Sequence, residues 1–457
     1  MSAPGFSAFR FVASVLALAL GLCGCQANQA PARTKVATVA SVAPAPPPAA
    51  LSIPTVQVPR DVRFGIDVLE SGNFLPLKGK RLGLLTHPAG VDHRGVPTVE
   101  LLRRAPGIHL VALFATEHGI YGTNAAGKTF GDHLDPATGL MVFSLYNGRT
   151  HRPTKTQLRG IDALVIDLQD IGVRSYTFAG AMKQAMEGCF ENNVEVIVLD
   201  RPNPLGGLKV DGPLLDPQWQ GLALVNDFPV PYVHGLTMGE LALFARGTPG
   251  VLRISESSRI HGRLTIIPMS GWRRDMRWPD TGLRWVPTSP YMPDFSAIVG
   301  YPMTGLGCQL GHFSNGVGSQ YPFRGLYNPL VKIGVVEREL DALHLPGIRF
   351  RRVSVPNSHN GQPGIGLYVE VSDWDEWRPT ELNFYLMKLA CKLEPKNPFA
   401  FASEGSAEMF LRLMGSTAFF RDLAARGARV DLEAYLRLWQ AQDRTFQERT
   451  RRFWLYQ

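Results

Sequence analysis

Four apolar runs mark the first half of the chain, and each ends in a polar or Gly/Pro-containing turn. Arg81 to Thr86 (RLGLLT) gives way to His87-Pro88-Ala89-Gly90, and Ile108 to Ala115 gives way to Thr116-Glu117-His118-Gly119. Ala163 to Leu168 (ALVIDL) leads into Gln169-Asp170-Ile171-Gly172-Val173-Arg174, and Val194 to Leu199 (VEVIVL) into Asp200-Arg201-Pro202-Asn203-Pro204. Runs apolar at every position, rather than at alternate ones, are what a parallel strand buried on both faces requires. Between them lie helical patterns at Thr98 to Arg104, briefly near Lys155 to Arg159, and at Ala179 to Asn192. The alternation predicts an α/β fold, a Rossmann-like and mostly parallel sheet with helices on both faces. No GxGxxG or Walker loop opens any of these helices, so neither a dinucleotide nor a nucleoside triphosphate is indicated, and no cofactor is expected.

The pattern changes on either side of this alternation. Arg10 followed by VASVLALALGLCGC has the charged start, short apolar core and small residues of a secretory signal spanning residues 1–25. Leu22-Cys23-Gly24-Cys25 resembles a bacterial lipobox, with Cys25 as the lipidated N-terminus; cleavage to a soluble periplasmic protein is the alternative. Gln26, rather than Asp, after that cysteine resembles lipoproteins sent to the outer membrane, which predicts a lipid-anchored protein facing the periplasm. Residues 26–60, rich in Ala and Pro, read as a stiff tether. Residues 61–288 read as the Rossmann-like domain and 289–457 as a smaller C-terminal α+β domain. Within the first, residues 205–285 read as an excursion with many turns. It contains a helix from Thr237 to Ala245, with Thr237 and Glu240 spaced as a capping box. In the second, strands are expected near 349–355 and 366–371, and helices at 381–393, 407–413 and 432–452. The glycine-rich stretch from Gly305 to Ser319 lacks phosphate-loop spacing.

Composition narrows the function classes. With 457 residues, 45% hydrophobic and 19% charged, the chain is long enough for two domains with a sizeable core. Its +8 charge is scattered, and no helix-turn-helix, zinc finger or Arg-rich tract is present, which argues against nucleic acid as a partner. Its five cysteines include no CxxC and no Cys/His cluster, so no metal site is indicated.

The candidate chemistry lies at the strand ends. Right-handed crossovers put the carboxyl ends of successive parallel strands on one edge of the sheet, where open α/β sheets bind ligands. Glu117, His118, Asp167, Asp170, Arg174, Asp200, Arg201 and Asn203 should therefore share one rim, with His234 in a loop bordering it. The competing reading is an ion-pair network that caps the sheet.

Motifs along the chain carry a family resemblance. GIDVL, LKGKRLGLLT, ALFATEHGIYG, DLQDIGVRSYTF, VLDRPNPLGG, DGPLLDP, VHGLTMGELA, IPMSGW and DTGLRWVPTSPYMP occur in that order. Over residues 62–457 the sequence resembles exo-β-N-acetylmuramidases of the NamZ type, glycoside hydrolases built on a domain long of unknown function. The resemblance implies release of N-acetylmuramic acid from the non-reducing end of peptidoglycan fragments, in a cleft between a Rossmann-like and a smaller domain. It places the family's catalytic glutamate on Glu117, with peptidoglycan-derived muramyl saccharides as partners.

Glycoside cleavage needs an acid on the leaving oxygen and usually a second carboxylate. In that scheme His118 orients Glu117 or shares its proton, and Asp167 or Asp170 is the second carboxylate. Arg174 and Arg201 pair with the lactyl carboxylate, and Tyr176 either stacks on the sugar face or is buried. The chain departs from the family's S-E-G-R-G-T at Ser314-Asn315-Gly316-Val317-Gly318-Ser319, so a Glu and an Arg are replaced by Asn315 and Val317. The early T-N-P-T-G has become Thr86-His87-Pro88-Ala89-Gly90. A non-catalytic lipoprotein that binds such fragments, or a hydrolase of another anionic sugar, remains an alternative.

Overall fold

The computed structural model describes residues 61–356 and 363–457, which belong to one compact unit. The signal, the lipidation site at Cys25 and the tether lie outside the described residues. Among the described residues no helix is long and apolar enough to cross a membrane.

A seven-stranded sheet forms the centre. Its strands are β1 (Arg81–Thr86), β2 (His109–Ala115), β3 (His133–Leu134), β4 (Met141–Ser144), β5 (Ala163–Asp167), β6 (Glu195–Leu199) and β7 (Leu264–Ile267), in the order β3-β4-β2-β1-β5-β6-β7. All neighbours pair in parallel except β3, which runs antiparallel to β4 at the edge. The period of two divides the strands cleanly. Leu82, Leu84, Ala163, Val165, Ile197 and Leu199 enter one core, and Leu85, Leu164, Ile166, Val196 and Val198 the other. The first core is covered by α1 (Gly65–Ser71) and α2 (Thr98–Arg104), and the second by α3 (Thr177–Glu191) and α4 (Met238–Gly247). Each fully buried Leu or Ile contributes about 1.5–3 kcal/mol, which is why the strands tolerate no polar position until their ends.

The chain leaves β1 in one direction, to β2 and β4, and then returns to β1's other side with β5. Such a reversal opens a crevice beyond the carboxyl ends of the strands, here around the end of β1 between β2 and β5.

Beyond α5 (Glu256–His261) and α6 (Phe295–Thr304), a small antiparallel sheet has the order β8-β10-β9, from β8 (Gly325–Leu326), β9 (Ile348–Pro356) and β10 (Pro363–Val371). It is accompanied by α7 (Ile333–Asp341), α8 (Glu381–Leu393), α9 (Glu404–Met414), α10 (Thr417–Arg426) and α11 (Leu432–Thr450). Trp439 and Phe446 are buried there, while Trp454 is partly covered.

Several elements differ from the sequence expectation. The excursion at 205–285 supplies β7, which completes the sheet, and β4 comes from another stretch without a clear apolar run. The Lys155–Arg159 pattern forms turns rather than a helix. Helix α3 begins at Thr177, two residues early, because Phe178 packs fully buried against Tyr176 and His87 despite its modest helix propensity.

Candidate active site

Beyond β2 the chain turns sharply through two consecutive left-handed residues, His118 (φ 70°) and Gly119 (φ 75°). Left-handed backbone is uncommon for a residue with a Cβ, so His118 is held there by its surroundings. Its Nδ1–H donates to the Asn124 carbonyl at 2.8 Å, and its own carbonyl accepts from the Asn124 amide at 3.2 Å. The turn leaves Glu117 only 8% exposed. One carboxylate oxygen accepts the Gly127 amide at 2.7 Å, and the other accepts the Thr177 hydroxyl at 3.0 Å. Thr177 is the first residue of α3, so the partial positive charge of that helix start faces the carboxylate. The Tyr146 hydroxyl is pushed up to about 12, by burial first and then by the charge and hydrogen bond of Glu117. Tyr301, on α6, is also raised, chiefly by burial, and it feels the charges of both Glu117 and Asp170. Its hydroxyl meets Ser175 Oγ at 3.1 Å, and Ser175 also bonds the Tyr232 hydroxyl at 2.8 Å.

Beyond β5, Asp170 is 6% exposed. One of its oxygens accepts the Gly172 amide at 2.7 Å and lies 3.7 Å from His234 Nε2. Its other oxygen has no partner, and neither does His234 Nε2. Arg174 bonds the Met414 carbonyl at 2.9 Å, but its Nε and Nη1 are unpartnered. Burial lowers that guanidinium to about 10, against smaller opposing effects of Tyr232 and Asp216. At the end of β1, His87 accepts the Gln169 amide at 2.9 Å through Nε2, which leaves Nδ1 without a partner. Burial, then Arg201, then His118 hold His87 well below the usual histidine range, so it is neutral. Seven of the eighteen buried, unpartnered side-chain polar atoms among the described residues lie at these strand ends: His87 Nδ1, Thr116 Oγ1, Gln169 Oε1, Asp170 Oδ1, Arg174 Nε and Nη1, and His234 Nε2. Buried polar groups are normally paired, so such a concentration marks a place where a ligand supplies the missing partners.

Other predicted site residues are closed within the protein. Asp167 forms a bidentate pair with Arg201 (2.5 and 2.9 Å) and accepts the Thr98 hydroxyl as well. Arg201 also donates to the Val91 carbonyl at 2.7 Å and lies over the Phe64 ring, which leaves the two partners 0% and 2% exposed. In this structure the pair is engaged with itself rather than open to a sugar carboxylate. Asp200 accepts from the Thr237 hydroxyl (2.8 Å), the Tyr456 hydroxyl (2.6 Å) and the amides of Gly239 (2.7 Å) and Arg201 (2.9 Å). Asn203 closes its own turn, donating to the Leu236 carbonyl at 3.1 Å and accepting the Leu205 amide at 3.0 Å. Glu240 caps α4 as its spacing predicts, and also pairs with Arg274 at 2.6 Å. Tyr176 is 8% exposed; its ring packs edge-on against Phe178 and Tyr301, and its hydroxyl donates to Thr288 at 2.6 Å, so no free face is left for a sugar.

Asp67, Asp92 and His93 form the one group of ligand-type atoms within 4.8 Å of one another among the described residues. Those atoms are already used: His93 bonds Asp67 at 2.7 Å, and Asp92 pairs with Arg94.

Residues 82–296 match the N-terminal domain described for exo-β-N-acetylmuramidase NamZ, and residues 299–456 match its C-terminal domain. The peptidoglycan β-N-acetylmuramidase NamZ of Bacillus subtilis is 38% identical over 348 residues, covering 76% of this chain and 81% of that protein. The chain belongs to the NamZ family. Two crystal structures of DUF1343-family proteins from Bacteroides fragilis share the fold. One is 36% identical with a TM-score of 0.78 and the other 26% identical with a TM-score of 0.62; each covers 87% of this chain and 99% of its own.

In this NamZ-family chain the altered loop forms a turn that includes Gly316 and Gly318 (φ 78° and 86°), with Val317 exposed and Asn315 half-buried. Of the residues expected at the strand ends, Glu117 and Asp170 both act on Tyr301 and His234 lies beside Asp170, whereas the Arg174 guanidinium reaches the Met414 carbonyl and lies over the Tyr232 ring. Sequence reasoning missed His87, Tyr146, Thr177 and Tyr301. His87 was visible as the strand-end histidine of β1. The two tyrosines are not marked by any local pattern: Tyr146 follows β4, which has no clear apolar run, and Tyr301 lies on α6, far along the chain from the strand ends.

Proposed function

We propose that the chain is an exo-acting glycoside hydrolase that releases N-acetylmuramic acid from the non-reducing end of peptidoglycan fragments, with Glu117 as general acid/base. Family membership supports the reaction class, and one observation carries the assignment of the site. Glu117 is a buried carboxylate at the reversal point of the sheet, and across β1 from it stands Asp170, a second carboxylate with an unpartnered oxygen. Protonation of the leaving oxygen by Glu117 and stabilisation of the developing positive charge by Asp170 divide the two tasks of glycoside cleavage. His118 orients the Glu117 turn. Asp170 replaces Asp167 as the second carboxylate, because Asp167 is saturated by Arg201 and Thr98.

Arg174 is the cation for the lactyl carboxylate of muramic acid. It is buried with two free N–H groups and no acid in contact, and a bound carboxylate would relieve its desolvation. His234 supports Asp170. The protein is further proposed to be lipidated at Cys25 and held at the outer membrane, facing the periplasm. Radiolabelled palmitate should label the wild type but not Cys25→Ala.

The test of function is incubation of the purified protein with N-acetylmuramyl-β-1,4-N-acetylglucosamine and, separately, with N,N′-diacetylchitobiose, which lacks the lactyl group. Free N-acetylmuramic acid from the first and no cleavage of the second is the expected result. Binding of the first without release would favour a carbohydrate-binding protein, and cleavage of both would remove the role given to Arg174.

A further inference from the structure

A cavity of about 420 Å³ lies away from the Glu117 rim, where residues 208–211, residues 375–379 and the middle of α11 meet. Asp443 projects from α11 into its lining. It is 5% exposed, and both of its carboxylate oxygens are buried without a hydrogen-bond donor. Buried carboxylates are almost always paired, so an acid left bare on both oxygens calls for an absent partner. The protein does not supply one. Asp211, facing it from the 208–212 segment, is itself an acid, and one of its oxygens already accepts the Thr380 amide and hydroxyl at 2.7 and 2.8 Å. Lys209 is turned away, its Nζ donating to the carbonyls of Asp375 at 3.0 Å and Trp377 at 2.9 Å. The Gly212 amide and Arg444 act on Asp443 favourably, but neither closes a hydrogen bond. Burial first, and Asp211 second, push the Asp443 carboxyl up to about 9, so it is protonated near pH 7.

The rest of the lining is mixed: Asp375 and Glu376 are exposed acids on it, and two arginines stand among its polar residues. Arg444, the next residue of α11, is exposed at the cavity, and Arg378 stands across it with its nearest carboxylate, Glu381, 4.0 Å away. An acidic interior with arginines at its mixed rim is complementary to a molecule that carries an ammonium and a carboxylate a few ångströms apart. The volume is within the roughly 300–1,000 Å³ typical of small-molecule sites. We propose that this cavity binds a small zwitterion of the α-amino-acid or dipeptide class, its ammonium received by Asp443 and Asp211 and its carboxylate by Arg444. The ammonium's three donors satisfy oxygens that are otherwise bare, and its charge offsets two neighbouring acids. The cavity shares no lining residue with the Glu117 rim, so the proposal stands independently of the glycosidase reading. The two places are linked through residues 232–233: the Tyr232 hydroxyl bonds Ser175 while its Cβ abuts Gly212, and Val233 bridges both Asp211 and Val173.

Calorimetric titration of the full-length protein with alanylalanine, its N-acetyl derivative and its C-terminal amide tests the assignment. Alanylalanine should bind saturably. Near pH 7 it should release about one proton, read from buffers of different ionisation heat, because the ammonium stabilises ionised Asp443. N-acetylation should weaken binding by at least about tenfold, and amidation by about tenfold. Asp443→Asn should lose the proton release and most of the affinity. Arg444→Ala, a surface change, should weaken alanylalanine but leave the amide unchanged, and it decides the matter if Asp443→Asn does not fold. Absence of binding by the wild type, undiminished binding of the N-acetyl form, or equal binding of the dipeptide and its amide would overturn the proposal.

Discussion

Glu117 and Asp167 flank the same strand of the sheet, one just beyond β2 and the other at the end of β5, and both are buried acids. Their surroundings differ in kind. Asp167 receives two charged hydrogen bonds from Arg201 and a third from Thr98, and Arg201 goes on to bond the backbone of the β1–α2 connection. Glu117 receives the Gly127 amide and the Thr177 hydroxyl, with the Tyr146 hydroxyl also beside it, all from segments that follow it in the chain, on a turn strained into the left-handed region. The first arrangement is a clasp that holds strand ends together. The second holds its carboxylate with neutral donors and no charged partner. Asp200 and Asp170 repeat the contrast: Asp200 accepts four hydrogen bonds, whereas Asp170 accepts one and keeps a bare oxygen. All four acids share a position at a strand end; the number and kind of their protein partners separate them.

The largest expected effect is on turnover. Glu117→Gln should reduce kcat/KM for a muramyl disaccharide by roughly 10²–10⁴-fold while leaving the melting temperature nearly unchanged, because the amide oxygen can still accept either hydrogen bond. A large loss of stability instead would place Glu117 among the clasps. Asp167→Asn should do the reverse, costing about 3–5 kcal/mol in denaturant unfolding because it strands a buried guanidinium. A folded variant of unchanged stability and lost activity would restore Asp167 to the site.

Asp200 gives a smaller effect with a definite sign. Burial raises its carboxyl from 3.8 to about 6, so between those values the folded state holds a proton that the unfolded chain has released. Stability should therefore fall as pH rises from about 4 to 6, by up to about 3 kcal/mol, and Asp200→Asn should flatten that slope. Asp170→Asn should lower kcat/KM by roughly 10- to 100-fold with little change in unfolding. The smallest effect belongs to Tyr176→Phe, which should cost about 1 kcal/mol for the lost bond to Thr288 and leave KM unchanged. A raised KM would mean that the ring does meet the sugar.

The sequence made the sheet legible wherever strands were apolar at every position. β1, β2, β5 and β6 agree with their runs to within a residue or so, because burial on both faces permits nothing else. β4 and β7 escaped because edge-side strands keep polar or half-exposed positions, as Met141 and Leu264 do. The rim itself was legible, since topology alone sends parallel strand ends to one edge. Which acids on it were free was not, because that depends on distant partners: Tyr456 closes Asp200 from 256 residues away, and Arg201 reaches Asp167 across 34. Tyr301 was illegible for the same reason.

The most direct test of Glu117 as the proton donor compares two leaving groups. A 4-nitrophenyl β-glycoside of N-acetylmuramic acid departs without protonation, whereas the glucosamine of the natural disaccharide needs an acid. Glu117→Gln should therefore be impaired by more than about 100-fold on the disaccharide but by no more than about tenfold on the aryl glycoside. Equal impairment on both substrates, or none on either, would contradict the account.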